Sequence, residues 1–263
     1  MRTNEPSVKV VLLAGGRGSR ITEESEFRPK PMIEIGGKPL LWHIMQGYAH
    51  YGMQEFLIAS GYKAEVIKQY FLNFNLYHND YRVNLRDGHR ETLYESSVDW
   101  NVSVIDTGLD TLTGGRLLRL KRWLDQAPFM VTYGDGVADV DLAALLCFHR
   151  AHGKLATVTG VRPPARFGAL NIEDGQVLSF IEKPVTESGW INGGFFVFEP
   201  AIFDYLKDDH STLEREPMEQ LAADGELMAF LHEGFWQPMD TLRDKLSLEA
   251  LWAGGRAPWK IWP

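Results

Sequence analysis

An apolar run leads straight into a glycine-rich loop in the stretch Val10-Val11-Leu12-Leu13-Ala14-Gly15-Gly16-Arg17-Gly18-Ser19-Arg20. Such a run is typical of a buried parallel β-strand, and it ends where the glycines begin. Three glycines within four positions allow successive backbone N–H groups to point at a single anion, such as a phosphate group. The stretch therefore predicts a strand followed by a phosphate-binding loop, with a purely structural turn as the alternative.

A lysine between two prolines follows, in Arg28-Pro29-Lys30-Pro31. The proline after Lys30 pushes the lysine backbone toward extended geometry, so its side chain is presented with little freedom. Arg20 and Lys30 supply two cations for one anion, an arrangement that suits a polyphosphate.

Two common phosphate-binding signatures do not fit the loop. A P-loop requires a lysine directly after its last glycine, and none follows Gly18. A dinucleotide loop requires a third glycine where this chain has Ile21.

The composition is that of an ordinary soluble globular protein. The 263 residues suffice for one large α/β domain, which we assign to 1–263 with two halves, 8–140 and 141–263. The net charge of −8 leaves no basic stripe for a nucleic acid, so we expect no nucleic-acid partner. We find neither a signal peptide nor a membrane span, so we expect a cytoplasmic protein without a membrane partner. The single cysteine, Cys147, excludes an intramolecular disulfide, and we expect it in the apolar core.

Strands and helices alternate along the first half of the chain. Apolar runs predict strands at 8–13, 55–60, 101–105 and 129–133, and helical periodicity predicts helices at 39–51, 64–72, 113–125 and 141–152. This alternation indicates a parallel sheet of the doubly wound type, in which ligands bind beyond the carboxyl ends of the strands.

The second half of the chain predicts a mixed sheet. Further strands are predicted at 156–161, 169–172, 177–181 and 194–198, and helices at 200–206, 217–223 and 241–253. We therefore predict an α/β fold with a Rossmann-like, mostly parallel mixed sheet flanked by helices, a hairpin excursion and a small C-terminal lobe. The excursion lies at 79–94, where Asp87-Gly88 supplies a turn, and it is either a surface hairpin or an arm that grips a neighbouring subunit.

Two carboxylates are candidate metal ligands. Tyr133-Gly134-Asp135-Gly136 places a carboxylate at the end of a strand, and Pro238-Met239-Asp240-Thr241 places another before a helix. Mg²⁺ typically takes one or two carboxylates and completes its shell with water and substrate phosphates. A tight turn at Asp135 and a helix cap at Asp240 are the structural alternatives.

Three further motifs are candidates for ligand binding. Thr113-Gly114-Gly115-Arg116 predicts a helix capped by Thr113, whose glycines let an anion approach the free N–H groups; exposed arginines on a capped helix are the alternative. Phe180-Ile181-Glu182-Lys183-Pro184 presents Lys183 for a second phosphate and Glu182 for sugar hydroxyls, or else a solvated ion pair. Asn192, before two glycines, is suited to hydrogen-bonding sugar hydroxyls.

The sequence has no Gly-x-Ser-x-Gly nucleophile elbow and no i,i+4 pair of histidines with a carboxylate base. One reaction class needs neither, because a phosphate oxygen is already ionised at neutral pH. Its catalysis reduces to holding two polyanions in line and neutralising the charge of the transition state. Mg²⁺ together with Arg20, Lys30 and Lys183 would supply that neutralisation.

The motifs occur in the order found in the sugar-1-phosphate nucleotidyltransferases, and the chain resembles that family from about residue 8 to 259. The shared motifs are the glycine-rich loop, Pro-Lys-Pro, Tyr-Gly-Asp-Gly, Glu-Lys-Pro and Asn-Gly-Gly. The segments 35–45, 113–116, 166–170 and 234–245 resemble the branch of the family that uses CTP and glucose 1-phosphate.

The resemblance implies transfer of a cytidylyl group from CTP to α-D-glucose 1-phosphate, giving CDP-glucose and pyrophosphate by Mg²⁺-dependent in-line displacement. CDP-glucose is the entry to deoxysugars of surface polysaccharides. The resemblance also implies a homo-oligomer, hexameric or built on trimers, which favours the interface arm at 79–94.

The resemblance assigns roles to individual residues. Arg20, Lys30 and Asp135 are the expected catalytic residues, and Asp135 and Asp240 the expected metal ligands. Gly168, Glu182, Lys183 and Asn192 are assigned to the sugar phosphate. The expected nucleotide-binding residues are Leu13, Ala14, Gly15, Gly16, Arg17, Gly18, Ser19, Arg20, Lys30, Thr111, Arg116 and Gly134.

The chain departs from the family pattern at two places. Ser19 replaces the commoner threonine but keeps the hydroxyl, and Thr111 lies in a variable segment. Two alternatives stay open: a uridylyl- or thymidylyltransferase on the same fold, and a non-catalytic sugar-nucleotide sensor. A sensor should have lost a metal carboxylate or Lys30, and this chain retains all three residues.

Overall fold

The computed structural model describes residues 8–18, 24, 27–94, 98–124, 126–163, 169–173, 176–181 and 189–263. The strands in chain order are β1 (Lys9–Ala14), β2 (Glu34–Ile35), β3 (Lys38–Pro39), β4 (Glu55–Ser60), β5 (Asp80–Val83), β6 (Arg90–Tyr94), β7 (Asn101–Asp106), β8 (Phe129–Tyr133), β9 (Gly136–Ala138), β10 (Ala156–Val161), β11 (Ala169–Glu173), β12 (Gln176–Ile181), β13 (Ile191–Phe198), β14 (Leu227–His232) and β15 (Trp236–Pro238). The helices around them are α1 (Leu40–His50), α2 (Ala64–Leu72), α3 (Phe74–His78), α4 (Thr113–Arg119), α5 (Lys121–Leu124), α6 (Leu142–His152), α7 (Glu216–Ala223) and α8 (Leu242–Ala253), with 3-10 turns at Lys30–Met32 and Pro200–Tyr205.

Seven strands form the central sheet, in the order β14-β10-β13-β8-β1-β4-β7. The pairs β8–β1, β1–β4, β4–β7 and β10–β14 are parallel. Strand β13 runs antiparallel to both of its neighbours, β8 and β10. The predicted α/β fold with a mostly parallel mixed sheet is confirmed.

Strand β1 contributes side chains to a core on each face of the sheet, because successive side chains point to opposite faces. Val10 and Leu12 pack in one core with α1, whose Leu41, Ile44, Met45 and Tyr48 are buried. Val11 and Leu13 pack in the other core with the apolar face of α4, including Leu117. Both faces of β1 are therefore covered, and the sheet positions its loops rigidly.

The hairpin excursion is present, with β5 and β6 paired antiparallel. Gly88, in the turn between them, has φ +75°. The hairpin exposes large apolar side chains, among which Leu85 is 93% exposed.

Three sequence predictions about the helices were wrong. The predicted helix at 113–125 divides at Leu120 into α4 and α5, and the residue preceding α4 is Leu112, not Thr113. Cys147 is exposed, not buried. The buried residues of α6 are Leu142, Leu145, Leu146 and His149, so helical spacing puts position 147 on the outer face.

The C-terminal segment packs against His43 of α1. The indole rings of Trp252 and Trp259 lie 4.6 and 6.1 Å from the imidazole ring of His43. The Nε2 of His43 donates to the carbonyl of Ile35 at 2.8 Å, and its Nδ1 accepts from the indole N–H of Trp259 at 3.4 Å. This burial lowers the pKa of His43 to about 4, so the ring is neutral at physiological pH.

No helix among the described residues combines the length and the apolar character that a membrane span requires.

Candidate active site

The loops after β1 and β8 lie side by side at one edge of the sheet. The two strands are parallel and adjacent, with Leu13 opposite Tyr133, so their carboxyl ends meet. The backbone N–H of Gly134 donates to the carbonyl of Leu13 at 3.0 Å. The glycine-rich loop and the Tyr-Gly-Asp-Gly motif are thereby joined, as the doubly wound fold predicts.

Asp135 and Asp240 are 105 positions apart in the sequence. They are brought together by the antiparallel pairing of β9 with β15, in which Gly136 lies opposite Pro238. The backbone N–H of Met239 donates to the carbonyl of Asp135 at 2.8 Å. The cap of α8 is Thr241, which forms a capping box with Asp244. Asp240 is therefore not the helix cap, and its carboxylate faces the site.

Lys30 lies between the two candidate metal ligands. Its ammonium donates to Oδ2 of Asp135 at 2.8 Å and to Oδ1 of Asp240 at 2.7 Å. The lysine is only 7% exposed, whereas the side chain of Asp135 is 41% exposed, so the carboxylates face the cleft from a buried cation. Both carboxylates thus contact the same cation, the ammonium of Lys30.

Two carboxylates at one cationic position fit Mg²⁺, because this ion takes few protein ligands and completes its shell with water and phosphate oxygens. Among the described residues no cluster of three or more His, Cys, Asp or Glu side chains has the arrangement of a metal site. A site built only from protein ligands is thus absent from the described part of the chain. The donor set suits a metal that arrives with a polyphosphate.

The glycine-rich loop is held by Arg116, whose guanidinium donates to the carbonyl of Gly15. Arg116 is buried, with only 4% of its surface exposed. Burial lowers the pKa of this guanidinium from its ordinary value. A side chain on Gly15 would collide with it, because an added Cβ would lie 2.1 Å from its Nη1. The oxygens that accept from Arg116 are the carbonyls of Ser60, Gly108, Gly15 and Leu109 and the hydroxyl of Thr107, at distances of 2.7 to 3.3 Å.

The glycines at the start of α4 serve a different purpose from the one predicted. The backbone N–H of Gly115 donates to the carbonyl of Ser211 at 3.1 Å. An added Cβ on Gly115 would lie 2.4 Å from the carbonyl oxygen of Asp209. These glycines therefore admit the backbone of a neighbouring loop rather than an anion, and the prediction of an anion-binding helix terminus was wrong in this respect.

A cleft of about 520 Å³ opens above these loops, within the range usual for small-molecule sites. It gathers most of the described residues that the sequence singled out. Arg17 and Gly134 are the exceptions: the exposed guanidinium of Arg17 pairs with Asp110 at 3.2 Å, and the backbone N–H of Gly134 is bonded to the carbonyl of Leu13. The residues that line the cleft are Leu13, Ala14, Gly15, Gly16, Gly18, Lys30, Pro31, Thr111, Leu112, Thr113, Arg116, Tyr133, Asp135, Asn192, Trp236, Pro238 and Asp240.

The sequence analysis assigned no site role to Tyr133, Trp236 or Glu214. Tyr133 and Trp236 line the cleft, and Glu214 is bonded to Tyr133. The amide of Asn192 donates to the hydroxyl of Tyr133 at 3.2 Å, and that hydroxyl donates to Oε1 of Glu214 at 2.5 Å. Trp236 donates its indole N–H to the carbonyl of Gly193 at 2.8 Å. The Tyr-Gly-Asp-Gly motif pointed to Tyr133 as a neighbour of the site, whereas no sequence signal marks Glu214.

Five predicted site residues, Ser19, Arg20, Gly168, Glu182 and Lys183, lie outside the described residues.

Comparisons with known proteins agree with this geometry. The family described as nucleotidyl transferase matches residues 9–246. The chain is 53% identical to the glucose-1-phosphate cytidylyltransferases of Salmonella typhi and of Salmonella typhimurium, over 97% of this chain and 100% of each of those proteins. The solved structure of a UDP-glucose pyrophosphorylase with UDP-glucose has the same fold, with a TM-score of 0.67 and 16% identity over 95% of this chain and 100% of that one.

Proposed function

The chain belongs to the nucleotidyl transferase family and, within it, to the glucose-1-phosphate cytidylyltransferases, and from that membership we propose that it makes CDP-glucose. The enzyme transfers a cytidylyl group from CTP to α-D-glucose 1-phosphate and releases pyrophosphate. A phosphate oxygen of the sugar phosphate attacks the α-phosphorus of CTP, the bond from that phosphorus to the bridging oxygen breaks, and pyrophosphate leaves.

One observation carries the proposal on the structural side: Lys30 contacts both Asp135 and Asp240 at the floor of the cleft. Three charged groups from distant parts of the sequence converge beside a glycine-rich loop. A non-catalytic sensor has no need of this arrangement, because binding alone does not require charge neutralisation at a reacting phosphorus.

Asp135 and Asp240 are the residues that would hold Mg²⁺. When bound, the ion supplies positive charge to the phosphate oxygens of the nucleotide as charge shifts toward the leaving pyrophosphate. Lys30 would then donate to a phosphate oxygen, and Arg20 is proposed to act beside it. The glycine-rich loop orients the triphosphate through its backbone N–H groups.

The two substrates are proposed to occupy opposite ends of the cleft. Gly16, Gly18 and Thr111 of the range 8–140 and Asn192 of the range 141–263 all line the cleft, which supports this layout. Gly168, Glu182 and Lys183 are assigned to the sugar phosphate on the sequence motif.

A homo-oligomer is also proposed, with the β5–β6 hairpin as its contact arm. Leu85 and Leu93 of this hairpin are 93% and 53% exposed, an exposure of apolar surface that an interface would cover. Light scattering on the purified protein measures the oligomer, and Leu85→Asp together with Leu93→Asp should lower the measured mass if the hairpin is the arm.

Product analysis tests the function. The protein is incubated with CTP, α-D-glucose 1-phosphate and MgCl₂, and the mixture is examined by ³¹P NMR and mass spectrometry. CDP-glucose and pyrophosphate should appear in equal amounts. If CTP were consumed without CDP-glucose, or not consumed at all, the proposed function would be wrong.

A further inference from the structure

Glu214 lies outside every motif that the sequence analysis used, yet it contacts two side chains that line the cleft. Its Oε2 accepts from the hydroxyl of Thr113, at the start of α4, at 2.6 Å. Its Oε1 accepts from the hydroxyl of Tyr133, at the end of β8, at 2.5 Å. Thr113 and Tyr133 both line the cleft, so the carboxylate of Glu214 braces two of its walls.

The loop that carries Glu214 is firmly attached to α4. Arg119 forms two hydrogen bonds to the carboxylate of Asp209, at 2.8 and 2.5 Å. The backbone N–H of Leu213 donates to Oγ1 of Thr113 at 3.0 Å. Glu214 is therefore held in place by its own loop, although its side chain is exposed.

The charge of Glu214 determines the direction of the hydrogen bonds that follow. A carboxylate only accepts, so the hydroxyl of Tyr133 must donate to it. Burial and the nearby carboxylate of Glu214 raise the pKa of Tyr133, which keeps the phenol protonated. The phenol oxygen is thereby left as an acceptor for Asn192, whose amide donates to it at 3.2 Å.

The orientation of the Asn192 amide is fixed at both ends. Its Oδ1 accepts from the backbone N–H of Gly194 at 2.8 Å, and its Nδ2 faces Tyr133. One N–H of the amide and one lone pair of its oxygen are left for a ligand in the cleft. The carboxylate of Glu214 thus supports, through Tyr133, one of the two contacts that hold the Asn192 amide in place for the substrate.

We propose that Glu214 is a positioning residue for the sugar phosphate, acting through Tyr133 on Asn192. This inference rests on the proposed function, in which Asn192 binds the hexose. Glu214 touches no reacting atom in this account. A glutamine at position 214 keeps the size of the side chain but lets its amide donate to Tyr133. The phenol would then no longer be held as an acceptor for Asn192, and the amide of Asn192 would keep only its contact with Gly194.

The test compares steady-state kinetics of the full-length enzyme and of Glu214→Gln, Tyr133→Phe and the double variant. Glu216→Gln is the matched control, because Glu216 is two positions away, is exposed and pairs only at the surface with Lys207, at 3.3 Å. We expect Glu214→Gln to raise the KM for glucose 1-phosphate about tenfold, within the usual range for the loss of one hydrogen bond between neutral groups, with the KM for CTP within twofold of wild type. The double variant should be no worse than Tyr133→Phe alone, because both changes interrupt one path.

Several outcomes would overturn the inference: equal rises in both KM values, an unchanged KM for glucose 1-phosphate, or effects that multiply in the double variant. Thermal unfolding of each variant identifies a change in KM that comes from a damaged fold, which would also count against a positioning role. A wild-type enzyme that makes CDP-glucose alongside an unaffected Glu214→Gln would refute this inference alone. A wild-type protein that makes none would refute the proposed function.

Discussion

The ammonium of Lys30 donates to the carboxylate of Asp135 at 2.8 Å, although the two residues come from separate motifs. The pair joins the Pro-Lys-Pro segment to the end of β8, and Asp240 completes the cluster from the opposite side. A lysine at this position supplies positive charge to two neighbouring carboxylates and so reduces their mutual repulsion. In the proposed function, this is the position that a metal ion would take when it arrives with the nucleotide.

Replacing either carboxylate should abolish most of the turnover while preserving the fold. Asp135→Asn and Asp240→Asn are nearly isosteric, but each removes one negative charge from the proposed metal site. We expect kcat to fall by about 10²-fold or more, which corresponds to one major electrostatic contact in a phosphoryl-type transition state. Initial rates over a titration of MgCl₂ measure the loss. Near-normal activity of either variant at limiting Mg²⁺ would show that its carboxylate has only a structural role.

Removing the Lys30 ammonium should have opposite effects on metal binding and on catalysis. In Lys30→Met the two carboxylates lose their internal cation, so Mn²⁺ should bind the nucleotide-free protein several-fold more tightly. The kcat/KM for CTP should fall by about 10- to 150-fold, because the loss of a charged hydrogen-bond donor costs about 1.5–3 kcal/mol. Electron paramagnetic resonance of free Mn²⁺ measures the binding. Lys121→Met, an exposed substitution of equal charge, is the control, and unchanged Mn²⁺ affinity in Lys30→Met would contradict competition for one site.

Arg116→Lys should weaken both stability and nucleotide binding. Lysine offers three donors at one atom, whereas the guanidinium of Arg116 reaches oxygens from three segments of the chain. We expect the free energy of unfolding to fall by at least about 1.5–3 kcal/mol and the KM for CTP to rise, because the loop at Gly15 loses its support. Denaturant unfolding and CTP saturation curves measure these effects. The exposed substitution Arg256→Lys should change neither, and a silent Arg116→Lys would mean that the loop is held by other contacts.

Stability should decrease as the pH falls from about 6.5 to 4. The folded protein holds His43 neutral with a pKa of about 4, whereas the unfolded chain takes up the proton near the ordinary value of 6.5. The unfolded state therefore binds more protons in this window, and the free energy of unfolding decreases with falling pH, by up to about 3 kcal/mol for this residue. His149 is buried in the same way, with a pKa of about 4, and adds to the effect.

The variant His43→Gln isolates this contribution, because a glutamine amide still donates to the carbonyl of Ile35 but does not titrate. Urea unfolding at pH 7 and pH 5 should show a smaller pH-dependent loss in this variant than in the wild type. Equal losses in the two proteins would assign the acid sensitivity to other groups.

Much of the sheet was predictable because its inner strands are continuous apolar runs. The bounds of β4, β8 and β10 agree with those predicted, since both faces of these strands are covered. Strand β14 was missed. It lies at the edge of the sheet with only partly buried side chains, so its apolar run does not stand out, although Gly225 and Gly234 bracket it.

Motifs singled out Lys30 and Asp135 in the sequence, and the overall pattern of motifs singled out Asp240; the structure brings all three to one cleft. Contacts between segments that are distant in the sequence could not be predicted. The carbonyls that accept from Arg116 come from the end of β4, the glycine-rich loop and the segment after β7, and a backbone carbonyl leaves no mark in the sequence. Glu214 looks like any surface glutamate until the loop that bears it is placed against α4. Such roles depend on tertiary packing, which local patterns do not encode.

The central claim is that CTP is the preferred nucleotide and glucose 1-phosphate its acceptor. Pyrophosphate release with glucose 1-phosphate and MgCl₂ should be measured for CTP, UTP, ATP, GTP and dTTP in parallel. Cytosine and uracil present opposite donor and acceptor patterns at one edge, and a buried site that pairs with one leaves its polar groups unpaired with the other. We predict the highest efficiency with CTP, about tenfold or more above dTTP, with UTP as the next substrate. Equal or better efficiency with dTTP than with CTP would contradict the account and place the enzyme among the thymidylyltransferases.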